Sequence, residues 1–388
     1  MSKHVEQLLD QMSLAEQVSL LAGRNMWNTV PNNRVGLEKM RVSDGPGGVR
    51  GSKFDGPASM NVPCGTAIAA SWDTALVRDI GELLGHEVAA KGARVHLAPT
   101  INLHRTPVGG RNFECMSEDP YLTAITAREY VLGVQSQGVA SCIKHFVGND
   151  TEFERMTIDS QIDERTLREM YLLPFEHAVR DAHVMSIMTS YNRINGPYAA
   201  DSTWLLRDVL RGEWKFDGMV VSDWFGLHST VEGVVAGLDL EMPGPTLHRG
   251  DALVAAVERG DVSAELVRDC ARNILNLMER TGGTGVPPGP EISRTDADDM
   301  ATLRRASSSA MVLLRNESIG GTPVLPLDMR GLTSIAVLGP NASRGMVQGG
   351  GSAHVTPTRV SHPLDAITKR FGSAVRIEHS AGCNINKK

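Results

Sequence analysis

Short apolar runs alternate with amphipathic stretches along most of the chain. Residues 40–44 (MRVSD), 66–71 (TAIAAS), 95–100 (VHLAPT), 139–146 (VASCIKHF), 184–192 (VMSIMTSYN), 217–224 (DGMVVSDW) and 238–242 (LDLEM) read as strands. Between them lie helical patterns. The first 23 residues form an amphipathic pattern that predicts one N-terminal helix. At 119–137 Asp119 can cap a helix and Pro120 can occupy its first turn. Asp163 opens a helix over 163–181, in which Pro174 predicts a kink. Ser263 opens one over 263–280, with Leu266, Val267, Cys270, Ile274, Leu277 and Met278 at helical spacing. Seven strand–helix alternations over some 280 residues indicate an α/β fold with a parallel sheet, and a (β/α)8-like TIM barrel fits that length better than two doubly wound sheets. The runs end in polar groups: Asp44, Thr100, Lys144 and His145, Tyr191, Asp223 and Glu241. In a barrel these ends open onto one face, where active sites sit.

The segment 282–294 (GGTGVPPGPEISR) reads as a linker. A second unit follows, with a helix over 298–314, a strand over 334–339, a Gly-rich loop 345–352, a helix near 361–371 and a strand over 374–379. One crossover cannot cover both faces of a parallel sheet, so this unit reads as unfinished. The expected division is therefore 1–281, a linker 282–297, and 298–388.

Charge and composition narrow the partners. A net charge of −6 argues against wrapping nucleic acid. An uninterrupted apolar run of about 18 residues is absent, so no membrane span is expected. The N-terminal pattern lacks the apolar block of a signal peptide. Five cysteines without CxxC spacing disfavour a zinc site or a disulfide framework, and point to a reduced, cytoplasmic protein. His86, His96, His104 and His145 show no ligand spacing, so neither metal nor cofactor is expected. The loop GMVQGGGS lacks the Lys-Ser/Thr ending of a phosphate loop. The sequence leaves a homo-oligomer open.

Four strings carry candidate chemistry. SDGPGGVR places Asp44 and Arg50 across a flexible turn, and GRNFECMSEDP places Arg111 near Glu114, Glu118 and Asp119. KHF puts Lys144 beside His145, and VVSDW ends a buried strand with Asp223 beside Trp224. Charged groups bond strongly to hydroxyls, and flat aromatic faces pack on sugar rings, so the set suits a polyhydroxylated ligand.

RVSDGPGGVR, GRNFECMSEDPYLT, KHFVGND, MTSYNRING, GMVVSDW and AGLDLEMPGP, in this order, resemble glycoside hydrolase family 3, β-glucosidase branch. The resemblance covers the chain from residue 5 to about 380. It implies a (β/α)8-like barrel followed by an α/β sandwich domain, here only its incomplete start, with the site between them. It implies a retaining, exo-acting β-glucosidase acting on terminal β-D-glucosyl residues, with Asp223 as nucleophile. It assigns sugar binding to Asp44, Arg50, Arg111, Lys144, His145, Met188, Tyr191 and Trp224. Arg155 matches an Arg of some members, and Ser352 is the contribution of the second unit's loop.

Each assignment has a structural rival. Asp223 could cap a helix. Lys144 and Arg111 could form an ion-pair network, Met188 could fill the core, and Trp224 could only pack. Glu241 reads as a buried partner for an Arg, and Glu114, Glu118 and Asp119 as loop and capping residues. The retaining mechanism needs a second carboxyl as proton donor. In the β-glucosidase branch this is a Glu later in the sandwich domain, expected beyond residue 388. The N-acetylglucosaminidase branch uses a His in the loop after KH, which NDTEFERMTID lacks. Alternatives are a sugar-binding remnant without turnover, a β-xylosidase or β-N-acetylglucosaminidase, and a barrel lyase using Lys144 for Schiff-base chemistry.

Overall fold

A computed structural model describes residues 2–384. Five short strands, β1 (Val42–Asp44), β2 (Val95–Leu97), β3 (Ala140–Phe146), β4 (Ser186–Thr189) and β5 (Met219–Val221), hydrogen-bond in chain order, all parallel. The expected strand 238–242 contributes single bridges only: Leu240 pairs in parallel with Val221, and Glu241 with Ala22. Residues 22–28 also reach the other margin, where Asn28 bridges Arg41 and the Trp27 carbonyl accepts from Val42 N.

Alternation along these strands feeds two cores. Cys142, Met188, Met219 and Val221 pack with the N-terminal helices and the helix Ala264–Arg280. Ile143, Ile187 and Val220 face a second cluster under helices Pro120–Ser136 and Leu173–Arg180. Every residue of the five strands is buried, as a parallel sheet covered on both faces requires.

Helix ends follow their caps. Asp119 Oδ1 accepts from Tyr121 N (2.7 Å) and Leu122 N (3.0 Å), and Ser263 and Asp163 cap their helices as expected. The 163–181 pattern is broken before Pro174, where Leu172 N reaches back five residues to Leu167 O. The N-terminal pattern is two helices, Lys3–Gln11 and Leu14–Leu20, not one. A reciprocal capping box between Ser13 and Glu16 starts the second, which forces the break. The expected strand 66–71 is a helix, Gly65–Ala70, because its alanines favour helix over sheet. The helix Thr74–Ala90, capped by Asp73, is absent from the expected elements.

The expected linker lies strapped onto the first unit. Arg94 donates to Gly283 O (2.6 Å) and Val286 O (2.7 Å), Arg41 to Gly289 O (3.1 Å), and Lys91 to Ile292 O (3.0 Å). Beyond it the helix spans Ala297–Ser309, and residues 311–314 are exposed and belong to no helix or strand. The strands β6 (Ser334–Leu338) and β7 (Arg376–Ser380) pair in parallel across the helix Pro363–Phe371, which is the expected βαβ unit. The last four residues of the expected second region lie outside the described residues. This unit meets the first through buried Val355, a Ser59–Pro357 bridge and the loop 349–352. Gly349 lies so close to Phe113 that a Cβ there would collide with the ring.

Candidate active site

The C-terminal ends of the strands and the loop 349–352 enclose a cavity of about 610 Å³. Asp44 is the last residue of β1, and Lys144 and His145 lie near the end of β3. Asp223 follows β5 by two residues, and Tyr191 follows β4 by two. The eleven residues that the resemblance assigns to catalysis or sugar binding line this one cavity: Asp44, Arg50, Arg111, Lys144, His145, Arg155, Met188, Tyr191, Asp223, Trp224 and Ser352, whereas Glu118 and Asp119 do not line it.

The charged floor is tightly paired. Lys144 Nζ donates to Asp44 Oδ1 (2.6 Å), which also accepts from Gly45 N (2.8 Å). Burial opposes ionisation of Asp44, but the Lys144 ammonium, helped by Ser352 and the Gly45 amide, holds its carboxyl at about 2. Arg111 grips Glu114 with two donors, at 3.0 and 3.2 Å. Glu114 is thus an ion-pair partner at the cavity wall rather than a loop or capping residue. Asn102 anchors His145 at both its N–H (2.8 Å) and its carbonyl (2.9 Å). Burial, reinforced by the cations of Arg111, Lys144 and Arg155, pushes the His145 imidazole well below its usual range, so the ring is neutral.

Asp223 differs from these. Its Oδ1 accepts from Trp224 N (2.7 Å), while Oδ2 is buried with no aligned hydrogen bond among the described residues. His145 Nε2 lies 3.4 Å from Oδ2. Burial pushes the Asp223 carboxyl above the ordinary carboxylate value, although Arg111, Lys144, the Trp224 amide and the Tyr191 hydroxyl favour the anion. A buried carboxylate oxygen without a well-aligned hydrogen bond is costly to folding. It is also free to approach an electrophile.

Aromatic walls complete the cavity. Trp224 packs against Trp27 with the rings tilted by 36° and centroids 5.4 Å apart, and donates from Nε1 to Met26 O (3.0 Å). The Arg50 guanidinium lies between Trp27 and Phe54, 4.2 Å from each centroid, and donates to Ser352 O (2.8 Å). Met188 belongs to the core and to the cavity wall at once. Trp27, Phe54, Phe113, Glu152 and Phe225 also line the cavity and are not among the sequence candidates. Only Glu152 had a local signal, an i,i+3 charge pair with Arg155. Glu241 lies elsewhere. Among the described residues it makes no direct ion pair with an Arg side chain, although its charge acts on the buried Arg249 guanidinium, and it organises a turn by accepting from the amides of Leu247 (2.8 Å), His248 (3.2 Å) and Arg249 (3.2 Å).

Residues 3–277 match the glycosyl hydrolase family 3 N terminal domain, and residues 311–385 match the glycosyl hydrolase family 3 C-terminal domain. The chain belongs to glycosyl hydrolase family 3. This family 3 chain is 50% identical over 386 residues to a "Beta-glucosidase" of Rhizobium radiobacter, covering 99% of the chain and 47% of that protein. It is 43% identical to "Probable beta-glucosidase J" of Aspergillus fumigatus, over 99% of the chain and 44% of that protein. The crystal structure of a Kluyveromyces marxianus β-glucosidase in complex with glucose superposes with a TM-score of 0.90 at 41% identity, covering 96% of this chain and 45% of that one. DesR, a β-glucosidase from Streptomyces venezuelae in complex with D-glucose, gives a TM-score of 0.90 at 33% identity, over 98% of this chain and 50% of that one. The family 3 chain thus spans about half the length of the curated relatives it matches. Among its described residues no helix is long and apolar enough to cross a membrane, and no group of three or more His, Cys, Asp or Glu could hold a metal ion.

Proposed function

We propose that this chain carries the nucleophile and the sugar-binding walls of a retaining, exo-acting β-glucosidase that takes terminal β-D-glucosyl residues. The observation that carries the reading is Asp223, a buried carboxylate whose Oδ2 has no aligned donor, in a cavity built from ion pairs and aromatic faces. Asp223 attacks the anomeric carbon and forms a glycosyl-enzyme while the leaving oxygen takes a proton, and water then releases glucose. The paired groups of Asp44, Lys144, Arg111 and neutral His145 offer fixed donors and acceptors to the ring hydroxyls, and need little reorganisation as charge develops. Trp224, Trp27 and the Arg50-held loop at Ser352 would wall the sugar. We read the parallel array, with residues 22–28 at both its margins, as a (β/α)8-like barrel over 1–281. The strap 282–297 then leads to the start of an α/β sandwich over 298–388. Five free cysteines support a reducing, cytoplasmic setting.

The Schiff-base reading is disfavoured because the Lys144 ammonium is occupied by Asp44 at 2.6 Å. An activated 2-deoxy-2-fluoro-β-glucoside should form a stable ester on Asp223, detected by intact-mass and peptide mass spectrometry. Asp223→Ala should remove it. Unchanged labelling of the variant, or borohydride trapping of substrate on Lys144, would overturn the assignment. Glucose binding without any labelling would leave a sugar-binding remnant. Faster labelling by the 2-fluoro-xyloside, or by a 5-fluoro N-acetylglucosaminide, would reassign the substrate within the family.

A further inference from the structure

Glu152 sits in the loop after β3 and is held there on purpose-built backbone. Its N–H donates to Gly109 O at 3.0 Å. At the next residue, Gly110, φ is +94° and an added Cβ would lie 2.8 Å from Glu152 Cγ. The missing side chain is what admits the Glu152 stem to the cavity wall. From that seat Oε2 accepts from Arg155 Nη1 at 2.5 Å, and Oε1 lies 3.9 Å from Arg111 Nη1. The Arg155 guanidinium, so tethered, lies 4.7 Å from the centroid of the Tyr191 ring, and the Tyr191 hydroxyl interacts with Asp223.

We propose that Glu152 is a positioning residue for the nucleophilic step: it tethers Arg155 over the Tyr191 ring and away from the Asp223 carboxylate. This rests on the reading of Asp223 as nucleophile. A cation over an aromatic face is held by the ring quadrupole, and it polarises the phenol towards donation. Released from Glu152, a long guanidinium beside a buried carboxylate with an open oxygen would pair with it and block it. Glu152 also balances charge. Arg111, just ahead of the short turn Asn112–Glu114, and Lys144 from β3 act on Asp223 as cations, and Arg155 stands over the neighbouring Tyr191 ring whose hydroxyl meets Asp223. His145 from β3 is the neutral ring beside it, and Asp44, Glu114 and Glu152 are the anions set against the cations.

The test is the rate of covalent trapping by the 2-fluoro-glucoside as a function of pH, on the full chain. Wild-type trapping at Asp223 comes first, because its absence would refute the nucleophile reading rather than this one. In Glu152→Gln the plateau rate should fall about tenfold or more, as a misplaced group near the reacting atoms typically does. The acid limb should move to lower pH, since removing an anion beside three cations favours the Asp223 anion. Glu152→Asp, which keeps the charge, should hold the wild-type acid limb and recover part of the rate. A Gln variant with the wild-type limb and a rate within twofold would overturn the proposal. So would azide-accelerated turnover of the glycosyl-enzyme confined to Glu152→Gln, which would make Glu152 the acid–base itself.

Discussion

Asp223 combines two properties that oppose each other at the level of a single side chain. Its pKa is raised by burial, so the folded state holds a proton more tightly than the unfolded chain does. The stability contributed by that proton is present below the unfolded value and is lost as pH rises through the folded one. At neutral pH the ionised carboxylate therefore opposes folding. Asp223→Asn should abolish labelling yet stabilise the protein by about 1 kcal/mol, with the gain growing as pH rises from about 4 towards 7. Thermal melts of both proteins across that range check it, and a gain that shrinks with pH would contradict the sign. The polar strand ends were legible because ionisable groups closing apolar runs are conspicuous against a buried background. Trp27, Phe54 and Phe113 were not, since each stands in a stretch without periodicity. Their place depends on contacts with Trp224, Arg50 and the loop 349–352, far away in the chain.

Among the elements, caps decide more than periodicity does. The helix Pro120–Ser136 was readable from Asp119 and Pro120, and the helix Ala264–Arg280 from Ser263 and its apolar stripe. The Gly65–Ala70 helix was misread because a short Ala/Ile run has no period long enough to separate the two states. The 238–242 run pairs through two residues only, its backbone turning away at Pro243. Asp119 carries two amide hydrogen bonds and lies outside the active-site cavity. Asp119→Ala should cost about 1 kcal/mol in denaturant unfolding. It should leave the 2-fluoro-glucoside trapping rate unchanged; slowed trapping would show that the cap also shapes the Arg111 turn.

For the molecule as a whole, the two units are unequal. The five parallel strands are fully buried, whereas β6 and β7 are largely exposed, with Met311 at 79% and Leu314 at 91% exposure ahead of them. Unpaired edges and bare apolar positions invite association. Amide exchange should be faster across 330–384 than in β3, and equal protection would mean that something covers the second sheet. Among the described residues the paired groups of the cavity leave no assigned proton donor, and general acid catalysis typically contributes about 10²–10⁴-fold. Dinitrophenyl β-glucoside, whose leaving group needs no proton, should glucosylate Asp223 while cellobiose is nearly inert. Azide should then speed turnover and give β-glucosyl azide. Efficient cellobiose hydrolysis without an azide effect would place a donor within the chain. Lastly, Arg41, Lys91 and Arg94 turn the Gly/Pro-rich stretch 282–294 into a splint. A splinted connection has few lengths to sample, so the second unit sets out from a fixed point, and the Arg50–Ser352 hydrogen bond and the Gly349–Phe113 contact register the 349–352 loop at the cavity mouth. On the proposed reading, a sugar would then meet that wall at a smaller ordering cost. The Gly and Pro residues that mark this stretch as flexible in sequence serve here to let a backbone lie flat under three cationic clasps.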